Sequence, residues 1–342
     1  MWILTSTYWR NSWKYQARAY RHVYWDSGTL LANLLAAAAA RGVRARLVLG
    51  FVDQMVNRLL GVDSEREVAV ALVALGSDGP PAQSLRDAPI PAIEHPSEPL
   101  SHTERDYPLI REMHARSGLM TRDEAAGWRA PAPLPSGEAV RGRLFPLAPI
   151  PEGELPAEPI EEVIRRRGSS RRFAREPISF AELSTALDRA TRGISADFLE
   201  PPGTLLTVPY VIVNGVVGLP SGAYLYRREQ GSLEQIKEGD FRREAGYLAL
   251  GQELGADAAA NVYFLCDLEP VLARFGNRGY RAAQLEGGIL GGKLYLSAYA
   301  LGFGATGLTF YDDEVTDFLS PPASGKSVMF LCALGRRLQR GK

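Results

Sequence analysis

Residues 278–313 read RGYRAAQLEGGILGGKLYLSAYALGFGATGLTFYDD, and residues 18–53 read RAYRHVYWDSGTLLANLLAAAAARGVRARLVLGFVD. An offset of 260 positions, with no gap, pairs the Arg-Ala-Tyr-Arg start of one with the Arg-Gly-Tyr-Arg start of the other. It also pairs Asp26 with Glu286, Gly28 with Gly288, Leu34 with Leu294, Gly42 with Gly302, Asp53 with Asp313 and Leu59 with Leu319. Each stretch reads as a long helix ending at a glycine turn, a short strand, an aromatic-x-Asp turn and a short helix. Each then closes on an apolar strand ending in Ala-Leu-Gly, at 74–76 and 333–335. Matching order as well as motifs predicts an internal duplication.

What precedes the two copies differs. More than 100 residues of structured-looking chain lie upstream of Arg278, against 17 upstream of Arg18, so the first copy reads as half a unit. The spacing predicts a partial unit over 1–76, a linker over 77–158 and a complete domain over 159–342. Residues 77–159 hold 15 of the 23 prolines, a composition that disfavours long helices and central strands. Within that stretch, Glu104–Ser117 can form a short helix. A helix beginning near Ser12 would leave an apolar face poorly covered, so a start truncated relative to a longer tandem protein is expected. Pairing of complete units into a homodimer is the alternative compensation.

In the complete unit, PIEEVIRRR (159–167) is a helix with acids at its start and arginines at its end, as the helix dipole favours. Ser179-Phe-Ala-Glu182 is a capping box opening a second helix that stops at Gly193. VPYVIVN (208–214) and NVYFLCD (261–267) read as central strands, and AYLYRREQGSLEQI as a hairpin. Strands interleaved with helices predict an α+β layer fold.

Lysine plus arginine equal aspartate plus glutamate at 39 each, which gives no reason to expect a nucleic-acid partner. Only two cysteines occur, Cys266 and Cys332, both inside apolar strand-like runs, which suits a reduced, cytoplasmic compartment. The longest apolar stretch, Leu30 to Ala40 broken only by Asn33, is too short to span a bilayer, and the N-terminus lacks the pattern of a signal peptide.

Two clusters carry candidate chemistry, and a third reads as structural only. Arg165-Arg166-Arg167-Gly168-Ser169-Ser170-Arg171-Arg172-Phe173 offers guanidinium forks and hydroxyls suited to a phosphate monoester, or is a solvated basic loop. Leu285-Glu286-Gly287-Gly288 lets a flat ligand approach the backbone, or serves tight helix packing. Asp53 and Asp312-Asp313 read as caps of the short helices that follow them.

The order Arg-x-Ser-Ser-Arg-Arg-Phe, then Glu-Gly-Gly on a helix, then Gly-Ala-Thr-Gly before Asp-Asp, resembles the FMN-dependent nitroreductase superfamily. Within it the chain is most similar to the SagB-type dehydrogenases, relatives of the oxidases that convert peptide thiazolines and oxazolines to azoles. The resemblance covers 159–335 as a whole unit and 13–76 as half of another. It implies a nitroreductase-like α+β fold, a central, mostly antiparallel sheet flanked by helices, with FMN bound at the interface of two units. It further implies that Arg167, Ser169 and Arg171 hold the FMN phosphate and ribityl chain, and that the backbone at Glu286, Gly287 and Gly288 lies near the flavin ring. Azoline oxidases carry an adjacent Lys-Tyr pair for substrate proton removal; here Lys14-Tyr15 matches it, and Arg274-Phe275 stands at the equivalent place in the complete unit. Arginine is a poor base and phenylalanine has no proton to exchange. On the residues alone Lys14 and Tyr15 read equally as a surface lysine beside a packing aromatic.

The chain departs from the family pattern elsewhere. Glu200-Pro201-Pro202-Gly203-Thr204 replaces a Ser-Ala-Gly loop, and its prolines remove backbone donors. The Gln-Asn pair of the long helix is Ala32-Asn33 in one copy and Gly292-Lys293 in the other. Arg336, Arg337 and Arg340 leave little tail for late basic contacts. The implied activity is two-electron transfer at flavin N5 on a peptide azoline. The alternatives are NAD(P)H-dependent reduction of a small nitroaromatic or quinone, and a non-catalytic subunit of a peptide-modification complex.

Overall fold

The computed structural model describes residues 1–76, 91–94, 96, 101–129, 139–201 and 203–338. The proline runs at 80–83 and 130–137, much of that between Asp87 and Pro99, and also Pro202 and Arg340, lie outside the described residues.

The same succession of elements occurs twice. The first set is β1 (Trp2–Thr7), α1 (Trp9–Tyr15), α2 (Ala19–Ala40), β2 (Ala45–Val48), α3 (Asp53–Leu60) and β3 (Glu67–Leu75). A middle segment follows with α4 (Pro108–Arg116), α5 (Arg122–Trp128) and β4 (Leu144–Pro146). The C-terminal region then adds α6 (Ile160–Arg166), β5 (Ile178–Ser179), α7 (Phe180–Thr191), β6 (Thr207–Val213), β7 (Val216–Val217), β8 (Gly222–Arg227), β9 (Ser232–Glu238), α8 (Arg242–Leu248) and α9 (Glu253–Asp257). It ends on the second set: β10 (Ala260–Cys266), α10 (Leu268–Phe275), α11 (Arg278–Ala300), β11 (Gly304–Leu308), α12 (Asp312–Leu319) and β12 (Ser327–Gly335).

Pairing is equivalent down to its irregularities. The first sheet has the order β1-β3-β2, and the seven-stranded sheet begins β11-β12-β10 before continuing β6-β8-β9-β4. β1 pairs antiparallel with β3 and slips register between Leu4 and Thr5; β10 does so with β12 and slips between Phe264 and Leu265, 260 residues on. The correspondence therefore reaches back to the first strand, beyond the stretch resembling the family. The helix expected near Ser12 is instead two helices, because Gln16, at φ 52°, turns the chain between α1 and α2; Gly276 makes the same turn at φ 57°.

The long helices pack side by side and run in the same direction, since Trp25 meets Gln284, Gly28 meets Gly288 and Ala32 meets Gly292. A Cβ on Gly28 would lie 2.7 Å from the Gly288 carbonyl carbon, so only glycine permits this approach. α11 is buried nearly all round, between α2, α7 and β12, which explains why its sequence shows no polar stripe. α2 covers the glycine-bearing face of α11 at Gly288 and Gly292. The middle segment does more than wrap the surface: β4 pairs with β9 at the sheet edge, and Ile110 and Trp128 enter the main core. Cys266 and Cys332 are buried and free in β10 and β12. Among the described residues no helix is long and apolar enough to cross a membrane.

Candidate functional site

The predicted caps prove to be anchors. Val52 and Tyr311 occupy the N-cap positions of α3 and α12, and neither helix has a side-chain cap. The Asp53 carboxylate instead takes Arg278 at 2.6 Å and Arg281 at 2.7 Å, both from α11. Reciprocally, Asp312 takes Arg18, at the N-cap of α2, at 2.6 Å, and also Arg21 of α2. The guanidiniums also reach carbonyls, Arg278 that of Leu49 at 2.7 Å and Arg18 that of Phe310 at 2.9 Å. The Arg-x-x-Arg start of each long helix therefore clasps the opposite set. The two arginines hold the Asp53 carboxyl below its usual range against the opposing effect of burial.

The arginine–serine loop follows α6 and packs on β11. Arg165 pairs with Glu162, and Arg166 with Glu158, which removes both from ligand binding. Arg167 places its guanidinium 5.6 Å from the Tyr295 ring centre, and Ser169 Oγ lies 3.1 Å from the Tyr295 hydroxyl. The Ser170 N–H donates to the Ala305 carbonyl at 2.9 Å, while Ser170 Oγ is buried without a partner. Arg171 is exposed at the mouth of the loop.

The short tail reaches this loop, contrary to expectation. Phe173 bridges Arg337, Leu338 N–H donates to the Arg172 carbonyl at 3.2 Å, and Arg337 lies over the Tyr299 ring at 4.8 Å. Arg337 and Ser170 both press on Gly304, where a Cβ would collide with each. Unpaired buried hydroxyl, three guanidiniums (Arg167, Arg171, Arg337) and a backbone with no Cβ together fit a phosphate group.

Lys14 and Tyr15 lie at the other end of a continuous line of contacts. Lys14 Nζ is 5.0 Å from the Tyr15 ring centre, and Tyr15 stacks on His22 at 4.0 Å. His22 meets Trp25 at 4.7 Å, and Trp25 meets Phe330 at 5.8 Å. Phe330 borders Gly307, whose N–H bonds the Tyr295 hydroxyl beside Ser169. Burial, then Arg18, Lys14 and Arg21, push the His22 pKa down to about 4, so the ring is neutral at pH 7.

Glu286, Gly287 and Gly288 make contacts within the chain. Both Glu286 oxygens accept the Leu206 N–H, at 2.8 and 3.0 Å, and one also accepts the Thr207 N–H at 2.8 Å and hydroxyl at 2.7 Å. The buried carboxylate thus fastens the start of β6 to α11, and burial raises its pKa to about 7. A Cβ on Gly287 would meet Met329 at 3.0 Å, and one on Gly288 would meet the Trp25 backbone at 2.9 Å. Protein fills the room that these glycines leave. Lys293, at the position of the family's Asn, is largely buried, its pKa lowered to about 8, and donates to the Gly193 carbonyl at 2.8 Å.

Sequence reading missed two features here and undervalued a third, Arg337, which it named only as part of too short a tail. His22 lies outside any motif, whereas α5 carried a readable signal: Thr121 and Glu124 form a capping box. Through α5, Trp128 packs on Phe275 at 5.1 Å and Phe198 at 5.8 Å, and its indole N–H donates to the Phe275 carbonyl at 2.9 Å.

The family model described as "Nitroreductase family" matches residues 2–77 and 164–336, one range in each set. A solved structure from Anabaena variabilis, named as a nitroreductase, aligns over 98% of this chain and 69% of its own, at 30% identity and a TM-score of 0.78. MJ1384 of Methanocaldococcus jannaschii, also named as a nitroreductase, is 30% identical over 186 residues, which is 53% of this chain and 92% of that protein. The trifolitoxin operon protein TfxC of Rhizobium leguminosarum bv. trifolii is 28% identical over 171 residues, 44% of this chain and 48% of that protein.

Proposed function

This chain belongs to the nitroreductase family, and on that premise we propose that it is an FMN-dependent oxidoreductase of the SagB type with one cofactor site, built from a partial unit (1–76), a connecting segment (77–158) and a complete unit (159–342). The observation that carries the cofactor assignment is the buried, unpartnered Ser170 hydroxyl in a loop flanked by Arg167 and Arg337 and carrying the exposed Arg171. Bound FMN would supply two-electron chemistry at its ring.

The chain's residues supply the rest. Arg167, Arg171 and Arg337 neutralise the phosphate, and the Ser169 and Ser170 hydroxyls donate to its oxygens. Gly304 lets the loop, β11 and the tail close together at that point. Trp25 and Phe330 exclude water along the line joining the two ends of the site. Lys14 and Tyr15 would hold or move a substrate proton, and neutral His22 adds no charge against a protonated Lys14. The Lys14-Tyr15 pair supports a peptide azoline as substrate.

Visible absorption of the purified protein, followed by acid release and mass analysis, tests the reading. One FMN per chain is expected, Arg171→Ala should release it, and Tyr15→Phe should retain it while turnover falls about a hundredfold. A colourless wild-type chain that takes up no added FMN would refute the assignment. NAD(P)H oxidation driven by a nitroaromatic or quinone would move the substrate class to small molecules.

A further inference from the structure

We propose that Arg18 and His22, one turn apart at the start of α2, hold the carbonyl oxygen of a bound peptide group beside the Lys14-Tyr15 pair. Arg18 uses its two terminal nitrogens on Asp312, at 2.6 Å, and on the Phe310 carbonyl, at 2.9 Å, while its Nε is buried without a partner. His22 is 9% exposed, and its Nε2 is likewise buried without a partner. Arg18 has helical backbone angles at the N-cap, so its side chain and that of His22, four positions on, are neighbours. Of the charges that lower the His22 pKa, Arg18 acts most strongly. Two neighbouring buried nitrogens left unpaired destabilise the fold, and such a pair marks a place kept for a ligand.

The molecule shows what the missing partner is. Arg278, 260 positions after Arg18, directs its Nε–H at the Leu49 main-chain carbonyl, at 2.7 Å. An Nε–H in this position therefore takes a peptide carbonyl, and among the described residues none meets that of Arg18. The counterpart of His22 is Ala282, whose methyl bonds nothing, so the end with the unpaired Nε–H is also the end with a second nitrogen one turn along. A neutral imidazole has one N–H, and its proton moves to whichever nitrogen finds an acceptor. Arg18 Nε–H and His22 Nε2–H would then both donate to one carbonyl oxygen.

The location gives that oxygen a chemical use, which rests on the reading of Lys14 and Tyr15 as the proton-handling pair. Tyr15 stacks on His22 at 4.0 Å with 19° between the rings, and Lys14 Nζ is 5.0 Å from the Tyr15 ring centre. In a peptide azoline, the ring carbon that bears the next carbonyl has the acidic C–H bond. That bond breaks, its proton passes to the Lys14-Tyr15 pair, and the electron pair left behind is shared with the carbonyl oxygen. Two N–H donors on that oxygen stabilise the charge as it develops.

Two measurements separate this clamp from the reading beneath it. A thiazole carboxamide has the carbonyl and no proton to lose, and a thiazole with methyl at the same carbon lacks the carbonyl. Calorimetric titration into the full chain should favour the carboxamide about tenfold. His22→Phe keeps a ring against Tyr15 and Trp25 but has no nitrogen, and should bring the two ligands within about twofold of each other. His22→Gln restores an N–H and should recover part of the preference; melting curves confirm that both variants fold. The second measurement is deuterium uptake from heavy water at the ring C–H of a thiazoline carboxamide, read by mass spectrometry, which needs no turnover of flavin. It should slow about a hundredfold in His22→Phe and partly recover in His22→Gln. Equal ligand preference in wild type and His22→Phe would overturn the proposal, as would His22→Gln behaving like His22→Phe, which makes His22 a packing ring alone. Deuterium uptake that His22→Phe does not slow would overturn the clamp and leave the azoline reading standing. A preference that depends on His22 without any deuterium uptake would uphold the carbonyl site and refute the azoline reading instead.

Discussion

At one end of the α2–α11 pair, Arg278, Arg281 and Asp53 are at most 10% exposed; at the other, Arg18, Arg21 and Asp312 are 23–31% exposed. Two Arg-x-x-Arg pairs at an offset of 260 thus hold carboxylates under different cover: Asp53 in the core, and Asp312, one position before the counterpart of Asp53, nearer the surface. Cover accounts for the difference. Over the first cluster lie α4, whose His114 carbonyl and Ser117 accept from Arg281, and α5, whose Trp128 fills the space beside Phe275. Over the second lie Tyr15, His22 and Lys14, polar where the other end has Phe275, Ala282 and Arg274. The outer strand edges differ as well: β11 meets Ser170 of the arginine loop, whereas β2 is bridged by Ala196, whose neighbour Asp197 accepts from Leu49 and Gly50. The two similar halves thus differ in which side chains cover their arginine–aspartate clusters.

The sharpest way to break this comparison is to remove the two acids in turn. Asp53→Ala leaves two buried guanidiniums without a counter-ion and should cost about 3–5 kcal/mol of unfolding free energy. Asp312→Ala should cost about 1 kcal/mol or less, because its partners are partly solvated. Denaturant unfolding measures both. Equal losses would show that burial does not separate the two ends.

Glu286 and Asp26 sharpen it next. The Glu286 pKa is raised to about 7 from 4.5, so between those values the folded state holds the proton more tightly than the unfolded chain. Stability conferred in this way is complete below about pH 4.5 and is lost as pH rises towards 7, over a range worth about 3 kcal/mol. Glu286→Gln should remove that slope from a series of melting curves. Burial also raises the Asp26 pKa, but its side chain is exposed and takes an amide rather than a strand, so Asp26→Asn should change the slope far less. A Glu286→Gln profile parallel to wild type would mean that the carboxylate stays ionised throughout.

The fold was legible because its determinants are periodic and local. The offset between Arg18 and Arg278, the Ser179–Glu182 box and the apolar strands 208–214 and 261–267 all formed the elements they predicted. Of the proposed site, Arg167, Ser169 and Arg171 could be singled out because one loop holds them. Gly287 and Gly288 were ambiguous because a missing Cβ serves a ligand or a packed neighbour equally well, and their neighbours, Met329 and Trp25, are distant in sequence. Asp53 read as a cap because its partners are 225 and 228 residues away, beyond any local pattern. His22 gained its surroundings from tertiary packing and carried no signal of its own, and Arg337, noted only as a tail arginine, reaches the loop through its bridge to Phe173.

The smallest expected effect concerns the cover itself. Thr121 and Ser179 both open helices with capping boxes, and loss of either hydroxyl to alanine should cost about 1 kcal/mol. The two helices differ in what they bury. α7 lays Leu183, Ala186, Leu187 and Ala190 into the main core, so Ser179→Ala should lower global stability. α5 buries only Ala125 and Trp128, so Thr121→Ala should act locally, raising hydrogen exchange at 122–128 about fivefold while the melting temperature holds. Such an outcome would make the cover over Phe275 a separately opening element. A melting temperature lowered as much as by Ser179→Ala would make it part of the cooperative core, and the closed end would then be as permanent as the sheet beneath it.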